Sequence, residues 1–133
     1  MREILFRGKT EGGDWTYGYY VFVPKRTGMF GQTISSADFD RHYILTMKYN
    51  LLKEVIPETI GQYTGLCDKN GKKIFEGDIM PVYEQGEEYY YKVVYNGDCF
   101  MLAMLDSEQG SYPLSAKNAI SEVIGNIHDN PNF

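Results

Sequence analysis

Histidine and cysteine are nearly absent from this chain, with two of each in 133 residues. A zinc or iron–sulfur site needs several such ligands at short spacing. His42 and His128 stand 86 positions apart, each beside a strand end, and Cys67 and Cys99 are too far apart to form a paired-cysteine motif. No metal and no cofactor is therefore expected. Each cysteine sits next to a turn, and both are expected to remain thiols in a reducing compartment. Nowhere does an apolar run approach the roughly 18 residues of a membrane span. Met1-Arg2-Glu3-Ile4 has no basic flank followed by an apolar stretch, so neither a signal peptide nor a membrane partner is expected, and the location should be cytoplasmic.

Catalytic signatures are missing as well. The one adjacent glycine pair, Gly12-Gly13, lacks the strand-to-helix setting of a phosphate loop, a dinucleotide fingerprint or a nucleophile elbow. Glu76 and Asp78 alternate, as paired carboxylates for acid–base work could. Gly77 between them and the apolar runs on either side read instead as a turn. No catalytic residue is assigned, and the protein is not expected to be an enzyme.

Aromatic residues, by contrast, are abundant: 12 Tyr, 7 Phe and 1 Trp, or 15% of the chain, against 23% charged residues. That excess favours sheet over a helical bundle. A chain of this length buries a core without staples, as one domain over 1–133 or as two β sub-units of about 1–66 and 67–133. Glu3 to Arg7 is a short strand, and Trp15 to Val23 is a longer one in which Gly18 marks a bulge or a close backbone approach. Pro24 to Asp40 changes to Pro, Gly, Ser, Thr and Asp and reads as a long loop. Residues 41–56 admit two readings. Tyr43, Met47, Leu51 and Val55 fit a helix, whereas His42–Met47 and Leu51–Ile56 fit a hairpin, which the β-rich surroundings and Pro57 favour.

The densest signal runs from Thr59 to Ile79. Asp68-Lys69-Asn70-Gly71 reads as a type I turn with a left-handed Gly71 in a G1 bulge, pairing Ile60–Leu66 with Lys72–Ile74. Glu76-Gly77-Asp78 then bends the chain into a strand over Ile79–Glu84, which Pro81 demotes to an edge or bulged position. A turn at Gly86 follows. Asn96-Gly97 predicts a two-residue type I′ loop that sets Tyr95 opposite Asp98, Val93 opposite Phe100 and Tyr91 opposite Leu102 on an apolar face. Lys92 falls on the other, mixed face. Ser115 is placed to cap a short helical turn over Ala116–Ser121, and Glu122–Ile127 forms the last strand. Glu58-Thr59-Ile60-Gly61-Gln62-Tyr63 faintly echoes Glu122-Val123-Ile124-Gly125-Asn126-Ile127, as if the two lay side by side or in equivalent positions.

Charge is uneven along the chain. Residues 1–73 hold 11 of the 13 Lys and Arg against 8 acids, while residues 74–133 hold 2 against 10. Arg2, Arg7 and Lys9, with Lys72 and Lys73, are the one set that could face phosphates, and Arg2, Arg7, Lys72 and Lys73 are the candidate nucleic-acid residues. Tyr89-Tyr90-Tyr91 is tempting as a base-stacking platform, but neighbours in a strand alternate faces. Flanking Glu84, Glu87 and Glu88 would repel phosphate, so packing is the expected role.

The segments "IGQYTGL.DKNGK.IFEGDI" over residues 59–79 and "EVIGNI..NP" over 122–131 resemble the YopX family of phage and prophage proteins. The resemblance rests on Gly61, Gln62, Tyr63, Thr64, Gly65, Asp68, Asn70, Gly71, Glu76, Gly77, Asp78, Gly125, Asn126 and Pro131; His128 departs from it, where a tyrosine is more usual. It implies a small, mostly β protein working inside a bacterial host cell, with no agreed activity and no ligand. The fold expected is mainly β, antiparallel, with small-barrel or SH3-like elements and a short helical turn near the C-terminus. The function expected is that of a non-enzymatic accessory protein acting through contacts with a phage or host protein or with further copies of itself as a homo-oligomer. The alternative is a nucleic-acid-binding small barrel in phage replication or regulation.

Overall fold

The structure is a computed structural model that describes residues 4–25, 40–46 and 48–130. The expected long loop falls outside these residues except at its ends, as do Arg2, Met47 and Pro131. Among the described residues every strand pairing is antiparallel, and the helical pieces are 3-10 turns of three residues. This is the mainly β fold the sequence predicts, with helical turns near the C-terminus at Leu114–Ala116 and Asn118–Ile120. The sheets stay open rather than closing into a barrel. Their edges include strands of three and four residues, which give little ladder to pair across a closure.

The chain divides into two compact units, Leu5–Ile60 and, with Met1–Ile4, Gly61–Phe133. The boundary lies six residues ahead of the expected 66/67, because that position would cut a hairpin in two. The first unit contains β1 (Phe6–Lys9), β2 (Trp15–Val23), β3 (Arg41–Thr46) and β4 (Leu52–Glu54), in spatial order β4-β3-β2-β1. Residues 41–56 are therefore the hairpin and not the helix, with Ile44 opposite Lys53. Gly18 sits opposite Thr46, and a Cβ there would lie 1.9 Å from the Leu45 carbonyl oxygen. The close approach read from the sequence is what requires glycine. Past β4 the chain folds back on β1: Lys9 N donates to Thr59 Oγ1 and Ile56 N donates to the Lys9 carbonyl.

The second unit holds the hairpin β5 (Gly61–Cys67) with β6 (Lys73–Phe75), and a five-stranded sheet. That sheet is built from β7 (Asp78–Glu84), β8 (Glu87–Tyr95), β9 (Phe100–Met104), β10 (Gly110–Pro113) and β11 (Gly125–Asn126), in order β10-β9-β8-β7-β11. Ile74, Met80, Val82, Tyr91, Val93, Phe100, Leu102 and Leu114 form its core. The Asp68 turn is as expected, with Gly71 at φ 82° and Gly71 N donating to the Asp68 carbonyl.

Two corrections concern hairpins. The two-residue loop with both residues at positive φ is Gln85-Gly86, joining β7 to β8, and not Asn96-Gly97. At the second site Asn96 keeps negative φ and its Oδ1 accepts the Asp98 and Cys99 N–H groups, so four residues form the loop and Tyr95 faces Phe100. The register is shifted by two residues, pairing Val93 with Leu102 and Tyr91 with Met104. An even shift preserves faces, which is why Tyr91, Val93, Phe100 and Leu102 are still buried together. Lys92, expected on a mixed face opposite Met101, is buried between Ile79 and Ala103 and reaches Glu108 at 2.6 Å.

Two smaller differences lie near the C-terminus. No side chain caps either 3-10 turn, so Ser115 does not play the capping role, and the last strand shortens to Gly125–Asn126. Pro81 lies in β7 with β11 pairing only at Asp78 and Ile79. Its carbonyl, on the side turned away from β8, takes the Ser121 hydroxyl, so the missing proline N–H costs no ladder bond.

Candidate functional site

The most recognisable residues of the sequence prove to bind one another. Asp68 Oδ1 accepts Asn70 N and Lys72 N, and its Oδ2 accepts Val123 N from the C-terminal segment. Asn70 Nδ2 reaches Glu122 at 3.0 Å, and Asn118 Nδ2 reaches the Cys67 carbonyl. Burial would raise the Asp68 pKa, but the backbone donors of Val123, Lys72 and Asn70 outweigh it and hold the carboxyl below its usual range. Asp78, 1% exposed, accepts Phe75 N, and Gly77 N donates to Val93. Asn126 Oδ1 accepts His128 N and Asp129 N. The echoed segments meet the same bend: Gln62 O accepts Glu76 N, while Ile127 N donates to Gly77 O and Ile124 N to Ile79 O. Glu76 and Gly77 thus form the bend, and Asp78 opens β7.

Of the nucleic-acid candidates, Arg7 belongs to the first unit and Lys72 and Lys73 to the second. Arg7 is 6% exposed with its guanidinium 4.6 Å from the centre of the Trp15 ring, a cation–π placement. Lys73 lies over the Tyr63 ring at 5.1 Å, and Lys72 is exposed beside the Asp68 turn. Arg2 is outside the described residues. Cys67 is half-buried and Cys99 exposed, both as thiols. His42 Nδ1 lies 2.6 Å from the Tyr20 hydroxyl and its ring stacks on Tyr20. Among the described residues no group of three or more His, Cys, Asp and Glu is arranged to hold a metal ion. None of their helices is long and apolar enough to cross a membrane.

Three features remain. The first is a row across the outer strands of the first unit, Tyr19 opposite Leu45 and Leu45 opposite Leu52. Tyr19 is 49% exposed and Leu52 52%, Tyr17 stands exposed on the same side of β2, and every residue of edge strand β4 is exposed. The second is a tyrosine–carboxylate cluster. Tyr91 Oη donates to Glu84 Oε1 at 2.6 Å and its ring meets Tyr112 edge-on. Hydrogen bonds from the Tyr112 and Tyr91 hydroxyls hold Glu84 below its ordinary pKa, and the same carboxylate pushes both tyrosines up.

The third feature is a cleft of about 380 Å³ in the second unit, lined by Gln62, Thr64 and Leu66 of β5, by Tyr95, Asp98, Cys99 and Phe100 around the β8–β9 loop, and by Pro113 and Ser115. The Tyr95 and Phe100 rings lie 4.9 Å apart. The Thr64 hydroxyl is already donated to the Ile74 carbonyl. The side chains of Gln62, Asp98 and Ser115 have no hydrogen-bond or ion-pair partner among the described residues. A further cleft of about 450 Å³, lined by Glu11, Asp40, His42, Glu54 and Val55 to Pro57, has Asp40 and His42 engaged already. Neither the Tyr19 row nor the third-feature cleft is visible in the sequence, since each gathers residues from strands whose register long-range pairing sets.

Open antiparallel sheets with only short 3-10 turns among the described residues define a small, mainly β protein. Residues 19–133 match the family model described as YopX protein, and the chain belongs to the YopX family. It is similar in fold to protein EF1440 from Enterococcus faecalis, known from a crystal structure. The two are 24% identical, the alignment covers 99% of this chain and 98% of that one, and the TM-score is 0.52. No curated protein matches the chain.

Proposed function

We propose that this YopX-family protein is a non-enzymatic accessory protein of a phage or prophage that works through protein contacts, the first of them with another copy of itself. The observation that carries this reading is the exposed Tyr19–Leu45–Leu52 row running out to the edge strand β4. A half-exposed aromatic and leucine on one strip, beside a strand edge that no described strand pairs, is the material of an association surface. Two copies meeting there bury the row and extend the sheet across the contact. Nucleic acid is the weaker reading, because Arg7 is buried against Trp15. The cytoplasm of the bacterial host is the setting such a protein serves.

Sedimentation velocity across a roughly hundredfold range of concentration tests this, since a self-associating chain changes its mass with concentration. The wild type is expected to approach dimer mass, and Tyr19→Glu with Leu52→Asp to remain monomeric with an unchanged melting temperature. A monomeric wild type throughout sinks the self-association.

A further inference from the structure

We propose that the cleft between β5, the β8–β9 loop and Pro113–Ser115 is a docking site for an extended, proline-containing peptide segment that carries a lysine or arginine. The site is distinct from the Tyr19 row and lies wholly within the second unit. Its volume of about 380 Å³ falls in the range of sites that hold small ligands or peptide side chains.

The walls decide the shape of what enters. Tyr95, about half exposed, stands against Phe100, and Pro113 and Leu66 complete an apolar slot. Slots of aromatic and prolyl rings accept the flat pyrrolidine of a polyproline II segment, which loses little entropy on binding because it is already extended. The polar groups decide the rest. A Gln62 amide and a Ser115 hydroxyl, both without partners among the described residues, can bond the donor and acceptor of a peptide backbone.

Charge selects between candidate occupants. Asp98 lines the cleft and its carboxylate has no ion-pair partner among the described residues, and residues 61–133 hold 11 acids against 5 Lys and Arg. Such a surface attracts a basic peptide and repels the phosphates of a nucleic acid that would otherwise stack its bases on Tyr95.

The test is fluorescence anisotropy of the full chain with three labelled probes: a decapeptide alternating proline and arginine, the same peptide with glutamate in place of arginine, and oligothymidylate. The arginine peptide is expected to bind and the other two to bind far more weakly. Asp98→Asn should weaken it roughly three- to fivefold, the scale of an exposed ion pair, and Tyr95→Ala roughly tenfold, as for an aromatic anchor. Both side chains are exposed, so neither variant should change the melting temperature, and circular dichroism checks this. Equal binding of the glutamate peptide, tighter binding of oligothymidylate, no binding of the arginine peptide, or binding indifferent to both substitutions would each overturn the proposal. Self-association through the Tyr19 row is read separately by sedimentation, so the two ideas fail independently.

Discussion

Asp68 and Val123 lie 55 positions apart in sequence, and Asp68 Oδ2 accepts the Val123 N–H at 2.9 Å. The other oxygen of the same carboxylate closes the β5–β6 turn on Asn70 and Lys72, so one side chain joins that hairpin to the C-terminal segment. Bonds from backbone donors to a charged acceptor are among the stronger ones, and their loss leaves three part-buried N–H groups without this acceptor. Asp68→Ala should cost about 2–4 kcal/mol in urea denaturation, with faster amide exchange at Val123. A loss below about 0.5 kcal/mol would mean the turn and the tail hold without it.

The same carboxylate sets a pH dependence. Its folded pKa lies below the ordinary 3.8, so the unfolded chain takes up the proton first as pH falls. The stabilisation is therefore complete above about pH 4 and drains away below it, toward the depressed folded value. Glu84, held below its ordinary 4.5, acts in the same direction. Thermal melts of the wild type should be level from neutrality to about pH 5 and then fall, and Asp68→Asn should fall less steeply below about pH 4. Parallel curves for the two proteins would assign the acid loss elsewhere.

Gly18 offers a test in the first unit. A methyl group there meets the Leu45 carbonyl, part of the neighbouring strand and not a flexible side chain, so β2 and β3 must separate to admit it. Gly18→Ala should destabilise by about 3 kcal/mol or more, as overpacking against backbone does. Gly12→Ala, where the nearest atom is Thr10 Oγ1 at 3.7 Å, should change stability by no more than about 0.5 kcal/mol. Similar melting temperatures for the two variants would contradict the close approach.

What was legible in the sequence was what local chemistry dictates. The span of β2, the Asp68–Gly71 turn, the Gly77 bend and the glycine at position 18 each rest on a few neighbouring residues whose backbone preferences agree. The β8–β9 register was not legible, because Asn96 has two ways to serve a turn. It can take positive φ beside Gly97, or it can keep an ordinary backbone and lend its side-chain oxygen to two N–H groups, as it does. The candidate sites were hidden for a different reason. Tyr19 meets Leu45 only through pairing across the long segment between β2 and β3, and the cleft gathers Gln62, Asp98 and Ser115 from three separate stretches.

Lys92 and Val93 test the corrected register. Val93 is 1% exposed and pairs with Leu102 in the core, so Val93→Asp places a carboxylate among Ile74, Met80 and Leu102 and should unfold the unit, costing about 4 kcal/mol or more. Lys92 lies between Ile79 and Ala103, with only its ammonium reaching the largely exposed Glu108. Lys92→Leu keeps the apolar stem and gives up one ion pair with an exposed partner, so its stability should lie within about 1 kcal/mol of wild type. Equal melting temperatures for the two variants would overturn this arrangement.

Glu84 joins two tyrosines, and its removal should be visible at the alkaline end. The Tyr91 pKa is raised first by its hydrogen bond to Glu84, then by burial, and Tyr112 is raised by the same carboxylate. A group whose folded pKa is raised lends stability that is whole below its ordinary value and lost as pH climbs past it. Both tyrosines should therefore be among the last to ionise when tyrosinate absorbance is followed upward in pH. In Glu84→Gln the amide oxygen can still accept the Tyr91 hydroxyl, but the negative charge is gone, so the late component should move to lower pH while the fold is retained. An unmoved late component would show that burial alone, and not the carboxylate 2.6 Å away, keeps Tyr91 protonated.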